Sequence, residues 1–203
     1  LLRLARLRQA DRPREPILVD CEKDLGAPLP ILEPPVFAED CKVILAIIPG
    51  IALAQLYERY GQRLLEYNVR SFLQVTGNVN KGIRETLRTE PQRFLAYNNG
   101  ISATADRFEV GTLPNGAKVI RSLVGLQIVN GGQTTATIHR VWKQDKADLS
   151  QVYVPCKLTV VEASNLTEMV ARISKFANTQ NTIQLADFSA NEPYHIALER
   201  LSE

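Results

Sequence analysis

Residues 126–140 read LQIVNGGQTTATIHR. An apolar run stops at Asn130, Gly131 and Gly132 follow, and a helical pattern begins near Gln133. Paired glycines open backbone conformations that side chains obstruct. Thr134 and Thr135 then fall in the first turn of a helix, where unpaired N–H groups and the positive end of the dipole face outward. The stretch reads as strand, tight turn and helix start. It presents amides and hydroxyls, with no acid, cysteine or lysine among them. A strand feeding a helix is the step from which layered sheets with helices are built.

The same alternation runs outward from this stretch. KVILAIIP (42–49) predicts a buried strand, and GIALAQLYERYG (50–61) a helix stopped by Gly61. RLLEYNVRSFL (63–73) predicts a strand and NVNKGIRETLRTEPQRF (78–94) a helix capped by Asn78 or Asn80. FLAYNNGISATADRFEV (94–110) reads as two strands around Asn98, Asn99 and Gly100, because Asn-Gly is a strong hairpin signal. A second Asn-Gly turn at 115–116 precedes a long apolar strand reaching residue 129. VYVPCKLTVVEA (152–163) predicts a strand, with Pro155 placing it at an edge or bulge. NLTEMVARISKFAN (165–178) and ADFSANEPYHIALERL (186–201) predict helices. Upstream, ILVDC (17–21) is a short strand and APLPILEPPVF (27–37) a Pro-rich extended connector. The fold class is α/β or α+β, with a mixed central sheet flanked by helices. Residues 1–41 read as an N-terminal segment and connector, residues 42–203 as the α/β domain, and the whole as a fragment of a longer protein.

The chain has 203 residues, 45% of them apolar, enough for an ordinary core. A formal charge of +2 is too near neutral to indicate nucleic acid by itself. Cys21, Cys41 and Cys156 are widely spaced, which fits a reducing cytoplasm better than a disulfide framework. The longest apolar run is broken at Pro49 and Gly50 and is too short to span a bilayer. The expected location is cytoplasmic, with no membrane partner.

Three polar clusters border apolar elements, at 96–102, 128–135 and 176–183. The middle one offers Asn130, Gly131, Gly132, Gln133 and Thr134. Its helix start is a cradle for a phosphate, and Gln133 can read a base edge. Asn98, Asn99 and Gly100 in the first cluster, and Asn178, Gln180 and Asn181 in the third, add directional hydrogen bonds. Arg70 and Arg172 supply charge. Lys81, Arg84 and Arg88 form a modest basic stripe on one helix. Each cluster read alone is also an ordinary turn or cap, so the binding reading requires that the three meet in space.

Catalytic chemistry is harder to find. Asp20, followed by Asp40, Cys41 and Lys42, loosely resembles a restriction-nuclease pattern, although its second part lies at the wrong end of a strand. His139 has no second histidine nearby, Trp142 reads as packed inward, and no Walker or GxGxxG loop occurs. The sequence specifies no cofactor.

The motifs IPGIALAQLYERYGQRLLEYNVRSFL, NVNKGIRETLRTEPQRFLAYNNGI, LQIVNGGQTTATI and FANTQNTIQLADF, in that order, resemble the AIPR family of bacterial abortive infection phage resistance proteins. The resemblance runs from about residue 43 to about residue 190. It implies a cytoplasmic protein of antiviral defence, and carries over Asn68, Arg70, Asn78, Asn80, Thr86, the Asn98 and Asn130 clusters, and Asn178 with Asp187. A weaker likeness links IVNGGQTTATI to ParB/sulfiredoxin-like and DGQHR-type domains, with Asn130 where an acid is usual and Thr134 where they carry arginine. The expected function is binding of nucleic acid or a nucleotide by the Asn/Gln/Gly-rich loops. One alternative is a metal-dependent nuclease or nucleotide hydrolase using Asp187 or Asp20. Another is a protein-interaction sensor for a phage component.

Overall fold

The computed structural model describes residues 15–67, 78–161 and 165–179. In chain order its elements are β1 (Leu18–Asp20), α1 (Cys21–Leu25), β2 (Leu29–Leu32), β3 (Cys41–Pro49), α2 (Gly50–Tyr60), α3 (Asn78–Thr89), α4 (Phe94–Tyr97), β4 (Ile101–Ala105), β5 (Arg107–Thr112), β6 (Lys118–Val124), β7 (Gln127–Asn130), α5 (Gly132–Gln144), β8 (Tyr153–Val161) and α6 (Leu166–Thr179). The fold is α+β, with a curled mixed sheet and helices packed on it. The strand–turn–helix of 126–140 forms as expected: β7 ends at Asn130, Gly131 takes φ 91°, and α5 follows.

The spine of the sheet is the antiparallel pairing of β3 with β8, in register from Cys41↔Val161 to Pro49↔Tyr153. β4 lies parallel to β8, and β7 pairs antiparallel with β4 across a bulge at Ser102/Ala103. On the other side β2 joins β3 to β6. β6 carries β1 beside β2 along one edge and β5 along the other, since β1 and β5 both pair with Val124. One face of the spine is core. Ile44, Ala46 and Ile48 from β3, with Val154, Cys156 and Leu158 from β8, pack with Ala52, Leu53 and Leu56 of α2 and Ile138 and Val141 of α5.

Several expectations are corrected. The Pro-rich stretch is not merely a connector: residues 29–32 form β2, hydrogen-bonded on both sides. Residues 94–97 are helical, so Asn98, Asn99 and Gly100 join a short helix to β4 and do not close a hairpin. The long apolar strand is two strands, β6 and β7, separated by Gly125 at φ 72°. Pro155 lies in a central strand. The parallel ladder to β4 begins only at Cys156, so the donor Pro155 lacks falls where that ladder starts. Residues 61–65 form a 3₁₀ turn, and the rest of the strand expected over 63–73, like the helix expected over 186–201, lies largely outside the described residues. The Asn115-Gly116 turn does close the β5–β6 hairpin, with the Gly116 N–H donating to Leu113 O at 2.9 Å.

The helix layer is tied by ion pairs. Arg84 on α3 donates from Nε and Nη2 to both oxygens of Asp145, each at 2.7 Å. Asp145 is the C-cap of α5, where a carboxylate faces the negative end of the dipole. The guanidinium offsets that repulsion and holds the carboxyl below its usual range. Arg84 of the basic stripe, half exposed, is thus engaged in an ion pair within the protein. Because the folded-state carboxyl is depressed, its contribution to stability is present above the ordinary value of 3.8 and is lost as pH falls through the folded value. Asp145→Asn should lower the melting temperature at neutral pH, and the gap to wild type should close well below pH 3.8. Melting curves across an acid series check this; a gap that stays constant refutes the assignment.

Candidate functional site

The strand positions that alternate with the core are open. Leu45 and Ile47 on β3 are 51% and 47% exposed, and Tyr153 on β8 is 44% exposed. Strand side chains alternate between faces, so the register reads as a row across the open face. Leu32 stands beside Leu45, Leu45 beside Lys157, Lys157 beside Ser102, and Ser102 beside Asn130. This row crosses β2, β3, β8, β4 and β7, apolar at one end and polar at the other. The neighbouring row pairs Ile47 with Pro155. With Leu95 of α4 at its side, the surface forms an open groove of about 1020 Å³.

The polar end gathers parts of two of the three amide clusters. Asn99, Gly100 and Asn130 all line the groove. Missing side chains bring them together. A Cβ on Gly100, at φ 76°, would lie 2.1 Å from Pro155 O, and one on Gly131 would lie 3.0 Å from Gly100 O. The two loops therefore meet backbone to backbone. Asn98 sets the turn, its Oδ1 accepting from Gly100 N at 2.8 Å.

The other expected residues are placed differently. Gln133 is exposed in the first turn of α5, while Gly132 and Thr134 are buried. The Thr135 hydroxyl donates to Gly131 O at 3.1 Å, and that of Thr137 to Asn80 Oδ1 at 3.4 Å. That helix start thus also serves as an internal joint. Arg172 pairs with Glu168 one turn earlier on α6, at 2.8 Å. Asn178 lies in the last turn of α6. Arg70, Gln180, Asn181 and Asp187 lie outside the described residues.

Among the described residues, no three His, Cys, Asp or Glu side chains stand together as a metal set. Asp20 caps α1, accepting from Lys23 N at 3.2 Å, and pairs with the Lys23 ammonium. His139 stacks edge-on between Tyr57 and Trp142 and bonds Glu58 through Nε2. Trp142 packs partly buried against the core, as the sequence predicts. Burial pushes the Cys156 thiol up to about 12 and the Cys21 thiol up to about 11, so neither is a thiolate near neutrality. Sequence reading misses Leu45, Ile47, Tyr153 and Lys157. The available signal is the lysine inside VYVPCKLTVV, which interrupts an apolar strand.

A family model described as AIPR protein matches residues 65–203. No curated protein and no solved structure gives a significant match. The matched span holds the polar end of the row, Lys157, Ser102 and Asn130, while Leu32 and Leu45 precede it. No helix among the described residues is long and apolar enough to cross a membrane.

The close approach of Gly100 to Pro155 of β8 is testable. Gly26 has a similar φ, 85°, with nothing within 4 Å of a Cβ. Gly26→Ala should cost only about 1 kcal/mol, the left-handed penalty alone. Gly100→Ala adds a clash with Pro155 backbone and should cost about 2 kcal/mol or more beyond that. Urea unfolding of both variants measures the difference, and equal costs would show that Gly100 does not approach Pro155 so closely.

Proposed function

The chain belongs to the AIPR family, and on that premise we propose that it is a recognition domain in abortive-infection phage defence whose groove binds a nucleotide. Family membership points to the defence setting. The ligand class rests on the row from Leu32 to Asn130. Its apolar half offers a floor for a planar base, with Tyr153 alongside for stacking. The amides of Asn99 and Asn130 offer donors and acceptors for a base edge. The register sets Lys157 between floor and amides, and its ammonium supports the reading of a phosphate there.

A long nucleic-acid strand fits this groove less well than a mononucleotide. Strand-binding grooves track several phosphates with several cations, and Lys157 is the one charged residue among the described residues lining this one. A second reading, recognition of a phage protein segment, draws support from the exposure of Leu45 and Ile47, since exposed apolar surface of this kind marks protein contacts.

Calorimetric titration of nucleotides over a salt series tests the proposal. Wild type should bind with weak salt dependence. Asn130→Ala should weaken binding about fivefold to a hundredfold, corresponding to about 1–3 kcal/mol for a base-edge contact. Absence of any nucleotide binding by wild type rejects this reading and leaves the protein-segment reading.

A further inference from the structure

We propose that the groove selects its ligand by charge, taking a molecule with a single negative charge on an uncharged, largely apolar body. This rests on the groove being the binding site, and not on the ligand being a nucleotide. Among the described residues the lining contains no aspartate or glutamate and has Lys157 as its only charged side chain. Lys157 makes no ion pair among the described residues. By contrast Arg59, Arg84, Arg93, Lys118 and Lys143 each have a carboxylate partner. By register its neighbours in the row are Leu45 and Ser102.

Desolvation then sets the rule. Lys157 is exposed, so water solvates its ammonium while the groove is open. A ligand whose body covers Leu45, Ile47 and Pro155 takes water away from that charge. A neutral ligand leaves the ammonium poorly solvated and unpaired, which opposes binding. One anionic group on the ligand replaces the lost hydration with a charge-assisted hydrogen bond. Further negative charges meet no second cation among the described lining residues and are themselves desolvated by an apolar lining. The affinity therefore peaks at a charge of minus one. The Ser102 hydroxyl is next in the row and can donate to a second oxygen of the same group. Among nucleotides this favours a phosphodiester monoanion, such as a cyclic mononucleotide, over a nucleoside triphosphate. Outside nucleotides it favours an aryl sulfonate or an aliphatic carboxylate.

The experiment uses the fluorescent monoanion 1-anilinonaphthalene-8-sulfonate and its neutral counterpart lacking the sulfonate, N-phenyl-1-naphthylamine. Both are titrated into wild type, Lys157→Met and Lys157→Arg, with near-UV circular dichroism confirming that each variant is folded. Wild type should bind the sulfonate about tenfold or more tightly than the neutral probe, the ratio expected for one charge-assisted hydrogen bond. Lys157→Met should erase that preference and Lys157→Arg should keep it. Displacement of the sulfonate is then measured with a cyclic mononucleotide, a nucleoside triphosphate and decanoate. Displacement by decanoate but by no nucleotide supports the charge rule while rejecting the nucleotide reading. Equal binding of the two probes to wild type overturns the proposal, as does a preference that survives in Lys157→Met, or a triphosphate that displaces better than the cyclic monoanion.

Discussion

The pairing of β3 with β8 is the constraint from which the rest of this domain follows. It runs in register from Cys41↔Val161 to Pro49↔Tyr153, and only one of its faces is covered by α2 and α5. Strand geometry alternates side chains strictly, so covering Ile44, Ala46 and Ile48 obliges Leu45 and Ile47 to face the other way. A one-residue slip would exchange the two sets and place Lys157 in the core. The depth of the helix-covered face, with Ile44, Leu158 and Ile138 all buried, holds the register that gives the open face its row. Core packing and the candidate site are thus two sides of one alignment.

Burial and charge divide the molecule in a consistent way. Ion pairs concentrate on the helical side, where Arg84 meets Asp145 on α5, and where Glu58 of α2 joins His139 and Lys143 of α5. Exposed pairs of this kind stabilise weakly, yet they register helices against one another. They also engage cations that would otherwise serve as ligand contacts. On the open face the groove carries one cation and no acid among the described residues. Charge on one side locates helices; on the other side Lys157 alone among the described residues brings charge to the groove.

Much of the architecture is legible in the sequence, and the failures have physical causes. The strand–turn–helix at 126–140 is readable because two glycines and a change of hydrophobic period coincide there. β2 is hidden by Pro28 and Pro30, which ordinarily mark connectors; the strand is short, and its two ends pair with different neighbours. Residues 94–97 are too few for a period to separate helix from strand. KVILAIIP looks the same whether one face or both are covered, so its open face is unreadable without the partners. Lys157 is visible as a lysine in an apolar strand, but only the register places it between Leu45 and Ser102. Two amide clusters are each visible alone, and their meeting depends on the antiparallel pairing of β4 with β7, two strands separated in sequence by β5 and β6, that no local pattern encodes.

That meeting also explains why the clusters are built from glycine and asparagine together. A Cβ on Gly100 would lie 2.1 Å from Pro155 O, and one on Gly131 would lie 2.6 Å from Ile101 Cγ2 and 3.0 Å from Gly100 O, so both positions crowd out a side chain. The backbone must therefore turn sharply at both places, and sharp turns need a local hydrogen-bond acceptor. Asn98 supplies one at Gly100. Asparagine in such a loop has a structural cause before it has a ligand. Asn99 and Asn130 differ from Asn98 in lining the groove. The tight loop fixes where their backbone sits, and strand pairing of Asn130 with Ser102 fixes its place in the row. Preorganised polar groups lose less entropy when they bind than groups on a free loop. The close backbone packing at these glycines thus holds the loop in place, which is what the proposed recognition by neutral amides would use.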